Sequence, residues 1–258
     1  MHRSPFSSAV RRLLGAAVFI WLPRCLRLIP ITAITTETTT LVTAAGPEFS
    51  PERLRCEYLE APNSVETPAP RLSWEIVSAR RGAAQSAWQI QVASTADRLA
   101  AGEADLWDSG RVGGERGRET NQIAYAGRPL VSRTQCHWRV RVWDENGRET
   151  AWTPPARWAM GLLHPDDWTA QWISYRDREP LHQDRKKLFL PPARTFRRDF
   201  QTREGITRAT AYVSALGLYD LHCNGSRVGD VYFLPGWSDY RQRAYYRTHD
   251  ITTLVRAG

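Results

Sequence analysis

The sequence predicts an all-β protein made of two consecutive β-sandwiches. Apolar residues alternate with polar ones in short runs, which is the period of a half-buried strand. Clusters of glycine, proline, asparagine and aspartate separate these runs, and long amphipathic helical repeats are absent from the 258 residues. A hydrophobic content of 42 % with 24 % charged residues is ordinary for a globular protein.

The first sandwich is predicted over residues 51–163. Alternating runs surround Trp74, Ile90 and Val140, and each predicts a strand with one buried face. Short strands with one Trp early and another late are typical of a fibronectin type III or immunoglobulin-like sandwich. Residues 95–104 predict one short helical turn, for which Asp97 is the expected cap.

A linker is predicted at residues 164–193. Asp166 and Asp167 resemble a catalytic carboxylate pair, but Pro165 and Trp168 around them favour a turn that caps the end of a strand. Residues 175–193 carry charges of both signs that largely compensate each other, which is typical of an exposed connection.

The second sandwich is predicted from residue 194 onward. Its first strand is expected to contain Phe196 and Phe200, and further strands are expected at residues 209–216, 218–223, 227–233 and 244–249. Asn224-Gly225 lies between two alternating runs and predicts a type I′ hairpin turn, because both positions need positive φ. Pro235-Gly236 predicts a second turn just before Trp237.

Five stretches carry a resemblance to a known family. Residues 211–240, AYVSALGLYDLHCNGSRVGDVYFLPGWSDY, follow the order LNG, RVGD, PGWxDY of the N-terminal domain of bacterial α-L-rhamnosidases, although Cys223 stands where Leu is usual. Upstream stretches at residues 54–74, 106–112, 125–147 and 158–174 are similar to the opening module of the same enzymes. The resemblance implies a fibronectin type III-like domain followed by the start of the rhamnosidase jelly-roll domain.

The resemblance also implies an activity and its location. These enzymes are inverting glycoside hydrolases that release terminal L-rhamnose, and their catalytic acids lie in an (α/α)₆ barrel further along the chain. A jelly roll closes with about eight strands, whereas the pattern from residue 194 onward supplies about five. We therefore expect an incomplete jelly roll at residues 194–258 and a non-catalytic N-terminal piece, arising as a fragment, a truncated gene or a frameshift product.

Five residues are candidates for carbohydrate binding. An aromatic ring and a carboxylate just after the Pro235-Gly236 turn suit the apolar face and the hydroxyls of a sugar, and polar residues nearby could add contacts. The candidates are Asn224, Asp230, Trp237, Asp239 and Tyr240. The competing interpretation of Trp237 is core packing. Some relatives bind rhamnose through calcium in this module, but the sequence places no ligands for it, and no other cofactor is expected.

Other functions find little support in the sequence. The net charge of +8 is split between the first 47 residues and the rest, so that no concentrated basic face for nucleic acid is expected. The six histidines and four cysteines show no metal-ligand spacing, and no phosphate-binding glycine loop occurs. Cys136 alternates in register with Trp138, which predicts a buried thiol.

Residues 1–50 are expected to be a leader and a Thr-rich linker. Arg11-Arg12 precede an apolar run at residues 13–22, which is typical of a signal peptide and too short to span a bilayer. Export to the periplasm or the medium is therefore expected, or a cytoplasmic location if the start codon is misassigned.

Three functional hypotheses remain. The first is the non-catalytic N-terminal part of an α-L-rhamnosidase, with rhamnose-containing glycans or glycosides and the remainder of the enzyme chain as partners. The second is a free-standing carbohydrate-binding or adhesive protein. The third is an immunoglobulin-like module that binds another protein.

Overall fold

The computed structural model describes residues 49–175 and 193–256. The predicted leader lies outside the described residues except for its last two positions. Residues 176–192, which make up most of the charged connection, also lie outside them. All described residues fall within one compact unit. Within them, no helix is long and apolar enough to cross a membrane.

The described residues form eleven β-strands and one short α-helix, α1 at Ala96–Ala100. The strands in chain order are β1 Ser50–Cys56, β2 Arg71–Val77, β3 Gln85–Ala93, β4 Trp107–Asp108, β5 Ile123–Ala124, β6 Gln135–Asp144, β7 Ala156–Ala159, β8 Thr210–Ser214, β9 His222–Cys223, β10 Ser226–Arg227 and β11 Tyr246–Asp250. This composition confirms the all-β fold class.

Strands β1 to β7 form the immunoglobulin-like sandwich that the sequence predicts. One sheet has the order β1-β2-β5 and the other has the order β4-β3-β6-β7, with all pairs antiparallel. The longest ladder joins β3 and β6, where Ile90 lies opposite Val140. Both residues are fully buried, so the alternating pattern correctly predicted which face of each strand points inward.

Tryptophans fill the space between the two sheets. Trp74, Trp88, Trp138 and Trp158 are each at most 3 % exposed. Trp74 and Trp88 meet edge to face with ring centroids 6.1 Å apart, an arrangement that aromatic pairs prefer. The indole N–H of Trp74 donates to the side-chain oxygen of Gln85 over 2.8 Å, so the polar edge of this buried ring is satisfied.

Two local predictions for the first sandwich have different outcomes. The cap of helix α1 is Thr95, whose hydroxyl accepts from the backbone N–H of Arg98 over 3.2 Å, and Asp97 instead lies in the first turn. Asp167 has the predicted capping role, because its carboxylate accepts the backbone N–H of His164 at 3.0 Å and the hydroxyl of Ser132. Donation by Ser132 is the largest cause of the lowered pKa of Asp167.

The second β segment contains one antiparallel pair, β8 with β11, and one hairpin, β9 with β10. Asn224 and Gly225 connect the hairpin strands with φ values of 49° and 83°, which confirms the predicted turn. The predicted strand at Phe196 and Phe200 is absent, since residues 193–209 form no strand and these rings are 53 % and 61 % exposed.

The predicted strands at 218–223 and 227–233 are shorter than their patterns suggest. Only β9 and β10 form within them, and Tyr219 adds one isolated bridge to Leu234. An alternating run becomes a strand only when a neighbour pairs with its backbone, and among residues 193–256 most of these two runs meet no such neighbour. The extent of the jelly roll therefore stays a prediction.

Candidate carbohydrate-binding site

The Pro235-Gly236 turn projects one aromatic side chain into solvent. Gly236 has φ of 109°, a conformation that favours glycine, and Leu234, Pro235 and Ser238 around it are buried. Trp237 is nevertheless 87 % exposed, which excludes the competing interpretation of core packing within the described residues. The backbone on both sides is thus anchored while the indole faces outward.

Trp237 and Tyr240 form an open aromatic surface. Their ring centroids are 6.1 Å apart and the ring planes are inclined by 42°. Together with Ser238, Asp239 and Arg241 they line a surface depression of about 380 Å³. We call these five residues the aromatic surface.

Asp239 provides the negative charge of the aromatic surface. Its carboxylate accepts from the guanidinium and the backbone N–H of Arg241, both at 3.1 Å, and from the amide of Gln242 at 3.2 Å. The side-chain hydrogen bond from Arg241 is the largest cause of a lowered pKa, which keeps Asp239 ionised at neutral pH. An ionised carboxylate beside two exposed rings can accept sugar hydroxyls.

The other two candidate residues lie apart from the aromatic surface. The side-chain amide of Asn224 donates to the backbone carbonyl of Leu254 over 2.7 Å, so this residue ties the hairpin turn to the end of the described chain. Asp230 lines a second depression instead. The structure therefore brings together Trp237, Asp239 and Tyr240, and it separates Asn224 and Asp230 from them.

The second depression lies between the two β segments and has a volume of about 460 Å³. Asn63 comes from the first sandwich, whereas Asp230, Leu234, Arg247 and Thr248 come from the second segment. This cleft could not be predicted from the sequence, because its walls are contributed by three distant stretches and no motif links them. Only the alternation that predicted a strand at residues 244–249 bears on it.

Side chains that commonly bind metals are not clustered in the described part of the chain. Within residues 49–175 and 193–256, no three His, Cys, Asp or Glu side chains come together in a way that could hold a metal ion. These side chain types therefore form no set of ligands there for the calcium that the family resemblance implies.

Two family models match the chain. The model for the Rha78A-like, N-terminal immunoglobulin domain matches residues 51–164, and the model for the alpha-L-rhamnosidase N-terminal domain matches residues 204–258. The first match covers the sandwich of β1 to β7. The second covers β8 to β11 together with the aromatic surface.

The curated relatives that this chain matches are much longer. An alpha-L-rhamnosidase of Formosa agariphila is 33 % identical over 215 residues, which cover 76 % of this chain and 22 % of the relative. One of Streptomyces avermitilis is 36 % identical over 185 residues, which cover 67 % of this chain and 18 % of the relative. The chain thus spans about a fifth of the length of the curated relatives it matches.

Solved structures are similar over most of the chain. The alpha-L-rhamnosidase from Dictyoglumus thermophilum matches with a TM-score of 0.70 and 29 % identity, over 81 % of this chain and 24 % of that protein. The enzyme from Aspergillus terreus matches with a TM-score of 0.65 and 25 % identity, over 81 % of this chain and 23 % of that protein. The chain therefore belongs to the α-L-rhamnosidase family and carries its N-terminal immunoglobulin-like domain and its N-terminal α-L-rhamnosidase domain.

Proposed function

We propose that this chain is the non-catalytic N-terminal part of an α-L-rhamnosidase and that it has a structural and substrate-recognition role. The observation that carries the proposal is the pair of matched domains at residues 51–164 and 204–258, in a chain that spans only about a fifth of its curated relatives. The remainder of the enzyme is then the principal partner of the chain, and rhamnose-containing glycans or glycosides are its ligands.

The surroundings of Asp239 support the non-catalytic part of the proposal. Glycoside hydrolysis usually needs two carboxyl groups across the scissile bond, about 6.5–9.5 Å apart in an inverting enzyme. On the aromatic surface, Asp239 is engaged by Arg241 and has no carboxylate partner among the residues that line the depression. Such a group is suited to holding a sugar hydroxyl and unsuited to protonating a leaving group.

Hydrolysis of an aryl α-L-rhamnoside tests this part directly. The purified chain is incubated with the substrate at micromolar protein concentration, and the released phenol is followed by absorbance. We expect no release above the buffer rate. Turnover that follows the protein through a final gel-filtration step would refute the non-catalytic role.

The aromatic surface is the proposed sugar-contact site. Aromatic rings supply a large apolar area with a defined geometry, and the C–H face of a pyranose can pack on such a ring. Asp239 then accepts a hydroxyl at the edge of the packed sugar. Asn224, which caps the hairpin, and Asp230, which lies in the cleft between segments, have no direct part in this contact.

Titration with methyl α-L-rhamnoside, followed by tryptophan fluorescence and calorimetry, tests the contact. We expect saturable binding by the wild type. Trp237→Ala should lower the affinity at least about tenfold, because most of the contact area of a small site lies on its aromatic anchor. Trp172→Ala is the matched control, since Trp172 is an exposed tryptophan as well, at 62 %, but lies outside both depressions. The titration is repeated with calcium and with a chelator. Equal affinities of the wild type and Trp237→Ala would contradict this site.

A free-standing carbohydrate-binding or adhesive protein is the second candidate function. The large exposed area on Trp237 favours it equally well, because a binding module needs no barrel. DNA sequencing beyond the last codon distinguishes the two candidates. A reading frame that continues, or resumes after a frameshift, into a helical barrel supports the enzyme, whereas an authentic stop supports the free-standing module.

Export is the proposed location, on the strength of Arg11-Arg12 and the apolar run at residues 13–22. Fractionation of cells that express the chain with a C-terminal tag tests it. A shorter, processed form in the periplasm or medium is expected. Retention of the unprocessed form in the cytoplasm would favour a misassigned start codon.

A further inference from the structure

We propose that the cleft between the two β segments is a second sugar subsite, so that the chain recognises an oligosaccharide rather than a single terminal residue. We call this site the junction cleft, and the polar residues that line it are Asn63, Asp230, Arg247, Thr248, His249 and Asp250. The inference rests on the proposed carbohydrate recognition and deepens it, because it names the size class of the ligand.

The position of the junction cleft is typical of a ligand site. Binding pockets form preferentially between domains, where two packed units leave a concave gap. Asn63 belongs to the first sandwich, and the segment containing Val228 to Leu234 and strand β11 belong to the second. Its volume of about 460 Å³ falls in the range of pockets that hold small organic molecules.

One charged group of the cleft has no partner within the protein. Among residues 49–175 and 193–256, the exposed carboxylate of Asp230 makes no ion pair or hydrogen bond, although it lies in the wall of the cleft. An ionised carboxylate has several acceptor positions, so this group is available for the hydroxyls of a ligand.

The remaining groups of the cleft fit a neutral polyhydroxylated ligand. Arg247 donates one N–H to the carbonyl of Pro235 over 3.0 Å, and a guanidinium has further N–H groups available for donation. Asp230 and Asp250 supply acceptors, and Val228 and Leu234 supply buried apolar area. Because charges of both signs line the cleft, a neutral sugar fits it better than an ion does.

The junction cleft and the aromatic surface are close neighbours. Leu234 lines the cleft and Trp237 lines the aromatic surface, so the two sites are three residues apart along the chain. Three residues span at most about 11 Å, since consecutive Cα atoms are 3.8 Å apart. The hydrogen bond between Arg247 and Pro235 fixes the turn that separates them. One ligand chain can therefore pack a sugar on Trp237 and place the next unit in the cleft.

The cleft is held in shape by contacts between the two segments beside it. Tyr246, the neighbour of Arg247, places its phenol oxygen 3.1 Å from the backbone nitrogen of Leu162 and 3.3 Å from the hydroxyl of Ser64. Both partners belong to the first sandwich. Since the walls are fixed before a ligand arrives, binding does not have to order them.

Calorimetric titration of the full chain with methyl α-L-rhamnoside and with an α-linked rhamnotriose tests the proposal. We expect the trisaccharide to bind at least about tenfold more tightly than the monosaccharide, because it fills both sites. Asp230→Asn, which removes the negative charge at an exposed position of the cleft, is expected to abolish this advantage and leave monosaccharide affinity unchanged. Trp237→Ala is expected to lower the affinity for both ligands.

Two further variants make the test decisive. Asp166→Asn is the matched control, since Asp166 is exposed and lies outside both depressions. Asp230→Ala, which removes the acceptor oxygens altogether, repeats the test with a second change at the same position. Equal affinities of the wild type for the two ligands, or an unchanged advantage in both variants, would overturn the subsite alone. Absence of saturable binding by either ligand would overturn it together with the proposed carbohydrate recognition.

Discussion

The backbone N–H of Leu162 donates a hydrogen bond to the phenol oxygen of Tyr246 over 3.1 Å and so joins the first sandwich to strand β11. The ring of Tyr246 also lies 5.7 Å from that of Trp168 and 6.1 Å from that of Tyr212, between the two segments. Burial is the largest cause of the raised pKa of Tyr246, so its hydroxyl stays protonated over the physiological range. A single side chain therefore couples two matched domains mechanically.

Tyr246→Phe should loosen this junction. The change leaves the N–H of Leu162 without its acceptor in a partly buried place, which costs about 1–2 kcal/mol of unfolding free energy. Urea denaturation followed by tryptophan fluorescence measures the loss. Tyr232→Phe is the control, because Tyr232 is 66 % exposed and the guanidinium of Arg227 packs on one face of its ring. Equal midpoints for the two variants would show that the hydroxyl of Tyr246 does not hold the junction.

Gly161→Ala should disturb the same junction by crowding. A methyl group at position 161 would lie 2.5 Å from the hydroxyl oxygen of Ser64 and 2.8 Å from that of Tyr246, closer than real contacts allow. Forced packing of this kind costs about 1–3 kcal/mol. Gly113→Ala is the matched control, since nothing lies within 4 Å of the added methyl group there and its φ is not positive. Thermal unfolding of both variants tests the prediction, and a Gly161→Ala protein as stable as the control would contradict it.

The sequence predicted those parts of the fold that depend on local pattern. Alternation located β2, β3 and β6, because each of these strands has one face on a buried core. Asn224-Gly225 located the hairpin, since its conformational demand is met within two residues. Phe196 and Phe200 were misplaced because an apolar pair indicates burial but does not say which neighbour buries it.

The candidate site was predictable only in part, for the same reason. Trp237, Asp239 and Tyr240 are adjacent in sequence, so a turn before them sufficed to predict that they meet. Thr248 and Asn63 are distant in sequence and line one cleft because the second segment packs against the first sandwich, through Tyr246 at Leu162 and Arg133 over Tyr212. The cap of helix α1 shows that even a local feature can be ambiguous in the sequence. Thr95 and Asp97 are both of a residue type that caps helices well, and only the backbone geometry shows that Thr95 is the cap.

The two core cysteines should be inert in the native protein. Cys56 and Cys136 are at most 1 % exposed, and burial raises the pKa of Cys136 to about 12 and that of Cys56 further still. Because the thiolate is the reactive form, alkylation by iodoacetamide at pH 8 should be at least about tenfold slower at both than in urea. Peptide mass spectrometry measures each site, with the half-buried Cys223 as the internal comparison. Rapid native labelling of Cys136 would show that the sandwich opens readily.

Mild acid should destabilise the protein through two histidines. Burial is the largest cause of the lowered pKa of His249 and of His137, with Arg247 beside the first and Arg157 beside the second as further causes. The unfolded chain then binds protons more readily than the folded one, so stability is fully present above the ordinary histidine pKa of about 6.5. It falls as the pH drops through that value and becomes constant below the folded pKa. The carboxylates with lowered pKa, such as Asp167, lose their contribution only below about pH 4, outside this window.

Urea denaturation at half-unit steps from pH 8 to pH 5 tests the histidine prediction. The free energy of unfolding should decline below pH 6.5 in the wild type. It should decline less in His249→Gln, because a group that binds a proton more readily in the unfolded chain than in the folded protein has been removed. The amide of Gln can still pair with the hydroxyl of Tyr219, which lies 2.8 Å from the imidazole of His249 and thereby limits the structural change. His222→Gln is the control, since His222 is exposed in the hairpin. A wild-type profile that stays flat between pH 7.5 and 5, or an identical slope in His249→Gln, would show that His249 is protonated as readily in the folded protein as in the unfolded chain.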